Sequence, residues 1–175
     1  MSSLAILILT KNEEDNIVDV VENAKKCTPE VLVIDSGSTD KTVELAKAHG
    51  ARVCFRAWTD DFAAQRNFAL EKTTADWVLY LDADERLNDE LIRSVKAVVD
   101  EGKLDCQFSM ERKSVAFGTK FNHGVLKPDH VARMFPRTTV TWVHKIHEHP
   151  ECDLPLRSLS GHIEHYTYKN WHHWE

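Results

Sequence analysis

The stretch WVLYLDADERLNDE, residues 77–90, places Asp82, Asp84 and Glu85 within four residues of one another. Carboxylates so crowded repel unless something positive sits among them. An Asp-x-Asp pair suits a hard divalent cation, because Mg2+ and Mn2+ prefer oxygen ligands and take one or two carboxylates together with substrate phosphates. Asp84, with Asp82 beside it, is therefore the expected metal site. The plainer alternative is a solvated turn in which Asp84 or Glu85 helps to cap the following helix.

Which reading holds depends on the elements that carry these residues. Trp77 to Leu81 is a short, continuously apolar run, as in a strand buried on both faces. Upstream, strand and helix patterns alternate: a strand at 4–10, an amphipathic helix over 14–26, the strand VLVID ending at Asp35, and a helix DKTVELAKAH with Asp40 as its N-cap and Gly50 as its stop. The strand RVCF, a helix over 61–72 and a helix opened by Asn88 complete the series. Repeated β-α-β predicts an α/β fold, a mostly parallel sheet with helices on both faces. Ligands of such sheets bind beyond the carboxyl ends of the strands, where Asp35, the Asp82/Asp84 pair and the segment TKNEE all fall.

After Gly102 the pattern becomes shorter and mixed (CQFSMERKSVAF, VARMF, VTWVHKI, SGHIEHYTY), which predicts antiparallel strands and long loops added to one side of the sheet. No Pro-, Gly- or Ser-rich linker separates residues 1–102 from 103–175, so one domain of 175 residues is expected. His144, His147 and His149 raise a zinc reading. In an extended segment, however, His147 and His149 share a face and His144 points away, and the ligand spacing matches no familiar framework.

Composition narrows the function. Residues 1–110 carry 13 Lys+Arg against 21 Asp+Glu, and residues 111–175 carry 9 against 7. An acidic first part with no basic run argues against nucleic acid as a partner. The apolar start at 4–9 is too short for a signal-peptide core, no run approaches a membrane span, and the four cysteines form no CxxC pair. Reduced thiols and a cytoplasmic location are expected.

Taken together, LTKNEEDNI, VLVIDSGSTDKT, FAAQRNFAL and WVLYLDADE, in this order and spacing, resemble the inverting, nucleotide-sugar-dependent glycosyltransferases of the GT-A fold, in particular the large family 2 group. GTKFNHG, KPDHVARMF and KIHEHPE are further similar to bacterial members that add a hexose to the lipopolysaccharide inner core. The resemblance implies transfer from a UDP-sugar with Mn2+ or Mg2+ present. It implies Thr10 and Glu13 beside the base, Asp35 on the uridine, Arg66 and Asn67 on the donor, Asp82 on the ribose or the metal's water shell, and Asp84 on the metal. Inversion by direct displacement needs a base for the acceptor hydroxyl; Glu148 is the first candidate and Asp129 the second. Arg133 would meet donor phosphate or an anionic acceptor, and His147 the leaving diphosphate or Glu148.

The acceptor implied is a glycan or lipid-linked saccharide, which would bring the chain to the cytoplasmic face of a membrane without spanning it. Relatives of the core-sugar type continue into a helical C-terminal part, so the resemblance implies either a truncated chain or a minimal form. Two other functions compete: a sugar-nucleotide-binding domain without catalysis, and a nucleotidyltransferase. The second requires a Gly-rich phosphate loop with a basic residue after the first strand, a pattern that TKNEE does not provide.

Overall fold

The structure is a computed structural model describing residues 2–116, 119–120 and 128–168. The segment GTKFNHG, except for Thr119 and Lys120, and the chain after Tyr168 lie outside the described residues.

The first parallel layer consists of β1 (Leu4–Thr10), β2 (Glu30–Asp35), β3 (Arg52–Phe55) and β4 (Trp77–Tyr80), joined through α1 (Ile17–Lys25), α2 (Thr42–Ala48) and α3 (Phe62–Glu71). β5 (Glu85–Leu87) and α4 (Asp89–Glu101) follow, then β6 (Gln107–Ala116), β7 (Thr119–Lys120), β8 (Asp129–Pro136), β9 (Thr141–Val143), β10 (His149–Glu151) and β11 (Leu156–Tyr168). The sheet order is β3-β2-β1-β4-β8-β6-β11-β5, with β7 paired to β6 and a separate β9–β10 hairpin. The chain leaves β1 toward β2 on one side and reaches β4 on the other. The switch point between β1 and β4 opens a crevice at their carboxyl ends.

Alternation along β1 divides the core in two. Leu4, Ile6 and Ile8 face a layer with Ile17, Val20 and Val21 of α1 and Leu91 and Val95 of α4, whereas Ala5 and Leu7 face Ala63 and Ala69 of α3 together with Tyr80, Phe135 and Trp142. Helices on both faces account for the unbroken apolar runs of β1 and β4.

Two expectations change, one holds and one element is new. Lys41, not Asp40, holds the N-cap position of α2; Asp40 accepts from Thr42 N at 2.9 Å and also from Glu14 N at 3.2 Å, which ties the helix to the loop after β1. Asn88 caps α4 through Leu91 N at 3.0 Å, so capping of that helix does not fall to Asp84 or Glu85. Glu85–Leu87 is a strand, paired antiparallel with β11. Finally, β11 runs parallel to β6, because the β8–β10 excursion returns the chain in the same direction.

Candidate active site

At the end of β1, Thr10 donates to Asp35 Oδ1 at 2.9 Å, and both residues are buried. Asp35 also accepts from Gly37 N (3.0 Å), Ser38 N (2.8 Å) and Ser38 Oγ (2.6 Å), closing a turn that Gly37 allows with φ 115°. Asp35 therefore shapes the loop after β2 through both oxygens. That loop is clasped to the one after β1: Asn12 N donates to Ser38 Oγ, Thr39 N to Asn12 Oδ1 and Glu13 N to Thr42 Oγ1, each at 2.8 Å. Between them and α3 lies a cavity of about 240 Å3 bordered by Thr10, Lys11, Glu13, Ser36, Trp58 and Phe62. Trp58 and Phe62 meet edge to face at 4.7 Å, and Phe62 is 44% exposed. Buried Gln65 is held by Arg56 and Ser36 beneath them. An aromatic wall beside polar strand ends suits a flat heterocycle.

The carboxylate cluster comes apart in three directions. Glu85 is fully buried; its carboxylate accepts from Asp82 N at 2.8 Å, from both terminal nitrogens of Arg133 at 2.6 and 3.0 Å, and from Arg112 at 3.4 Å. Asp82 keeps 35% of its side chain exposed, 3.4 Å from Arg66 Nη2 and 3.7 Å from Arg133 Nη2. Enclosure works to raise its pKa, but the Arg133 and Arg66 guanidiniums outweigh it and hold the carboxyl below the usual range. Asp84, 36% exposed, meets His165 Nε2 at 3.0 Å, and Tyr166 N donates to its carbonyl at 2.8 Å. The hydrogen bond to Asp84 raises the His165 pKa against the effect of burial. Asp82 and Glu85 thus find their positive charge in the protein's own arginines.

Across the crevice, Arg66 Nε reaches Glu148 Oε1 at 3.2 Å while its guanidinium lies over the Trp142 ring at 4.7 Å. Arg66, Asp82, Arg112, Arg133, Trp142 and Glu148 border a second cavity of about 270 Å3. Asn67 turns the other way: its amide donates to Trp142 O (2.9 Å) and accepts from Trp142 N (2.8 Å), so it fastens β9 to α3. Asp129 is an exposed partner of Arg112 at 2.8 Å. Arg133 is committed to Glu85 and the Tyr80 carbonyl. His147 is exposed with φ 56°. Residues 145–147 bend rather than extend, and the rings of His144 and His149 lie tilted against each other with centroids 5.0 Å apart. Among the described residues no three His, Cys, Asp or Glu side chains gather as a metal cage, so the zinc reading has no site there.

Among the described residues, Asp84 and His165 are the pair that could hold a divalent cation. Asp84 and His165 put an oxygen and a nitrogen donor together on partly exposed side chains, the two-ligand set that leaves positions for phosphate and water. Sequence reasoning missed His165, Trp58 and Arg112. Trp58 precedes α3 and was legible as an aromatic near a predicted strand end. His165 carries no local signal, because only the His165↔Glu85 register brings it to the turn.

Comparison with known proteins agrees with this architecture. A stretch of 91 residues is 43% identical to an uncharacterized glycosyltransferase of Rickettsia typhi, covering 52% of this chain and 31% of that protein. Over 106 residues the chain is 34% identical to the lipopolysaccharide core biosynthesis glycosyltransferase LpsC of Rhizobium meliloti, covering 56% of this chain and 38% of LpsC. These matches span about a third of the relatives' length. Among solved structures, S. aureus TarS 1–349 superposes with a TM-score of 0.65 at 15% identity, over 94% of this chain and 60% of that one. The same TarS fragment in complex with UDP-GlcNAc gives 0.57 at 24% identity, over 70% and 36%. Glucosyl-3-phosphoglycerate synthase of Mycobacterium tuberculosis, in complex with Mn2+, UDP and glucosyl-3-phosphoglycerate, gives 0.51 at 23% identity, over 66% and 45%. The shared architecture is the GT-A fold. The family model described as glycosyl transferase family 2 matches residues 5–147, and with most of its length so matched the chain belongs to glycosyl transferase family 2.

Proposed function

We propose that the chain transfers a hexose from a UDP-sugar to a hydroxyl of a glycan acceptor, with inversion and with a divalent cation bound. One observation carries this reading. The aromatic-walled cavity and the Asp82 and Asp84 carboxylates lie at the carboxyl ends of adjoining parallel strands, and Arg66 joins Asp82 to Glu148 of the β9–β10 hairpin. TarS and glucosyl-3-phosphoglycerate synthase, which share the fold, were crystallised with UDP-GlcNAc and with Mn2+ and UDP, and this supports the choice of donor.

The base lies against Trp58 and Phe62, with Thr10 and Asp35 setting the loop beneath it. Asp82 accepts from a ribose hydroxyl, and Asp84 and His165 are the residues that would hold Mn2+ or Mg2+. When bound, the cation offsets the charge that gathers on the departing diphosphate. Glu148 takes the acceptor hydroxyl's proton as that oxygen bonds to the sugar's anomeric carbon and the bond from this carbon to the diphosphate breaks. Glu148 is preferred to Asp129 because it shares Arg66 with Asp82, whereas Asp129 sits on the rim with 51% of its side chain exposed. The likeness to LpsC supports a lipopolysaccharide-core acceptor, reached from the cytoplasmic face of the membrane. No helix among the described residues is long and apolar enough to cross a membrane.

Calorimetric titration with UDP, with Mn2+ and then with EDTA, tests the donor half on wild type, Asp84→Ala and Glu148→Gln. The expected result is metal-dependent binding that is lost in Asp84→Ala and kept in Glu148→Gln, with transfer in Glu148→Gln reduced about 10²- to 10⁴-fold. Equal affinity in wild type and Asp84→Ala would remove the metal assignment. Binding without transfer by wild type, across UDP-sugars and acceptors, would favour the non-catalytic reading.

A further inference from the structure

The proposed reaction gives Glu85 and Arg133 no direct part, yet they form the most enclosed ion pair at the site, with side-chain exposures of 0% and 7%. A buried pair must overcome the loss of hydration of both ions, and apolar residues of similar volume are often no less stable in its place. Stability alone therefore gives little reason for this pair. What it does that apolar side chains cannot do is bind main chain. Arg133 Nη1 donates to the Tyr80 carbonyl at 3.2 Å, one residue before the end of the apolar run, and Glu85 Oε1 accepts from Asp82 N at 2.8 Å. Glu85 N in turn donates to Asp82 O at 3.0 Å. The turn is thus held through the main chain of Asp82 on both sides. The strand that begins at Glu85 sets the register with β11, and so the approach of His165 to Asp84.

We infer that the Glu85–Arg133 pair is the positioning device of the carboxylate turn, fixing Asp82 and Asp84 for the diphosphate and its cation, and that Arg133 does not itself contact the donor. The inference rests on the proposed UDP-sugar reading of the site. Arg133 has both terminal nitrogens engaged, and Glu85 has no surface that a ligand could touch. A lysine at position 133 would place a single ammonium where the guanidinium now spans two carboxylate oxygens and a carbonyl.

The test is UDP titration in the presence of Mn2+ on wild type, Glu85→Gln, Arg133→Lys and the apolar double variant Glu85→Leu/Arg133→Met, each checked by thermal melting. Because Glu85 is inaccessible, weaker binding in Glu85→Gln cannot reflect a lost ligand contact. If Arg133 were a donor ligand, the same substitution would release the guanidinium and leave affinity unchanged or improved. The expected result is a loss of about 10- to 100-fold in each variant, including a double variant that melts at or above the wild-type temperature. Glu85→Gln or a folded double variant binding within about twofold of wild type would overturn the inference and leave the function standing. Should the double variant not fold, Glu85→Gln and Arg133→Lys decide by the same criterion. A wild type that does not bind UDP with Mn2+ would overturn the function and this inference together.

Discussion

Asp82 and Asp84 are separated by one residue and sit in different electrostatic surroundings. Asp82 faces two guanidiniums, whereas Asp84 faces the imidazole of His165. The histidines of β11 divide in the same way. His165 has its pKa raised above 6.5, chiefly by the Asp84 hydrogen bond, so the stability it adds is complete below 6.5 and disappears as pH rises through its folded value. His162 has its pKa lowered below 6.5, first by burial and then by Lys113 and Lys120. Its contribution has the opposite sign: present above 6.5 and lost as pH falls through the folded value. With EDTA present, the thermal midpoint of His165→Asn is expected to lose part of the decline seen above pH 6.5, and that of His162→Asn part of the decline seen below it. Unchanged pH profiles would show that neither imidazole is held as described.

Among the elements, β11 matters most for the site and is the least evident from local sequence. It lies between β6 and β5, and it crosses α4 so closely that Gly161 has no room for a side chain. A Cβ there would fall 2.2 Å from Leu91 N, and the backbone has φ 98°. Gly161→Ala is therefore expected to destabilise the fold by ~3 kcal/mol or more, read as a shift in the urea midpoint at unchanged slope. Because Asn88 joins the α4 cap to His162 N at 3.0 Å, the same displacement would move His165 away from Asp84. Weakened Mn2+-dependent UDP binding in that variant would accompany the loss of stability. A midpoint like that of wild type would mean that β11 and α4 are not so tightly apposed.

For the whole molecule, the crevice gathers groups from β1, β2, α3, β4, β9–β10 and β11, so a ligand bound there holds distant parts of the chain in their folded arrangement. UDP with Mn2+ at about a hundred times its dissociation constant is expected to stabilise the protein by ~2.7 kcal/mol, seen as a rise in the melting temperature. EDTA should abolish the rise, and Asp84→Ala should not show it. A rise that survives EDTA would detach nucleotide binding from the cation.

The first hundred residues could be read directly because their signals are local. Apolar runs of strand length, helical periodicity, Asn88 as a cap and Gly50 as a stop each depend on a few neighbouring residues, and β-α-β alternation converts them into a parallel sheet with its ligand end identified. By itself the sequence determined this architecture, the family resemblance, and the candidacy of Asp82, Asp84 and Glu148. It left open which charges would meet. That Glu85 is a buried hub, that Arg133 serves it, that Arg66 bridges Asp82 to Glu148 and that His165 joins Asp84 were decided by tertiary structure. The physical reason is separation along the chain. These partners lie 48, 16, 82 and 81 residues apart, and no local rule of spacing or propensity connects them until strand register and helix packing bring them together.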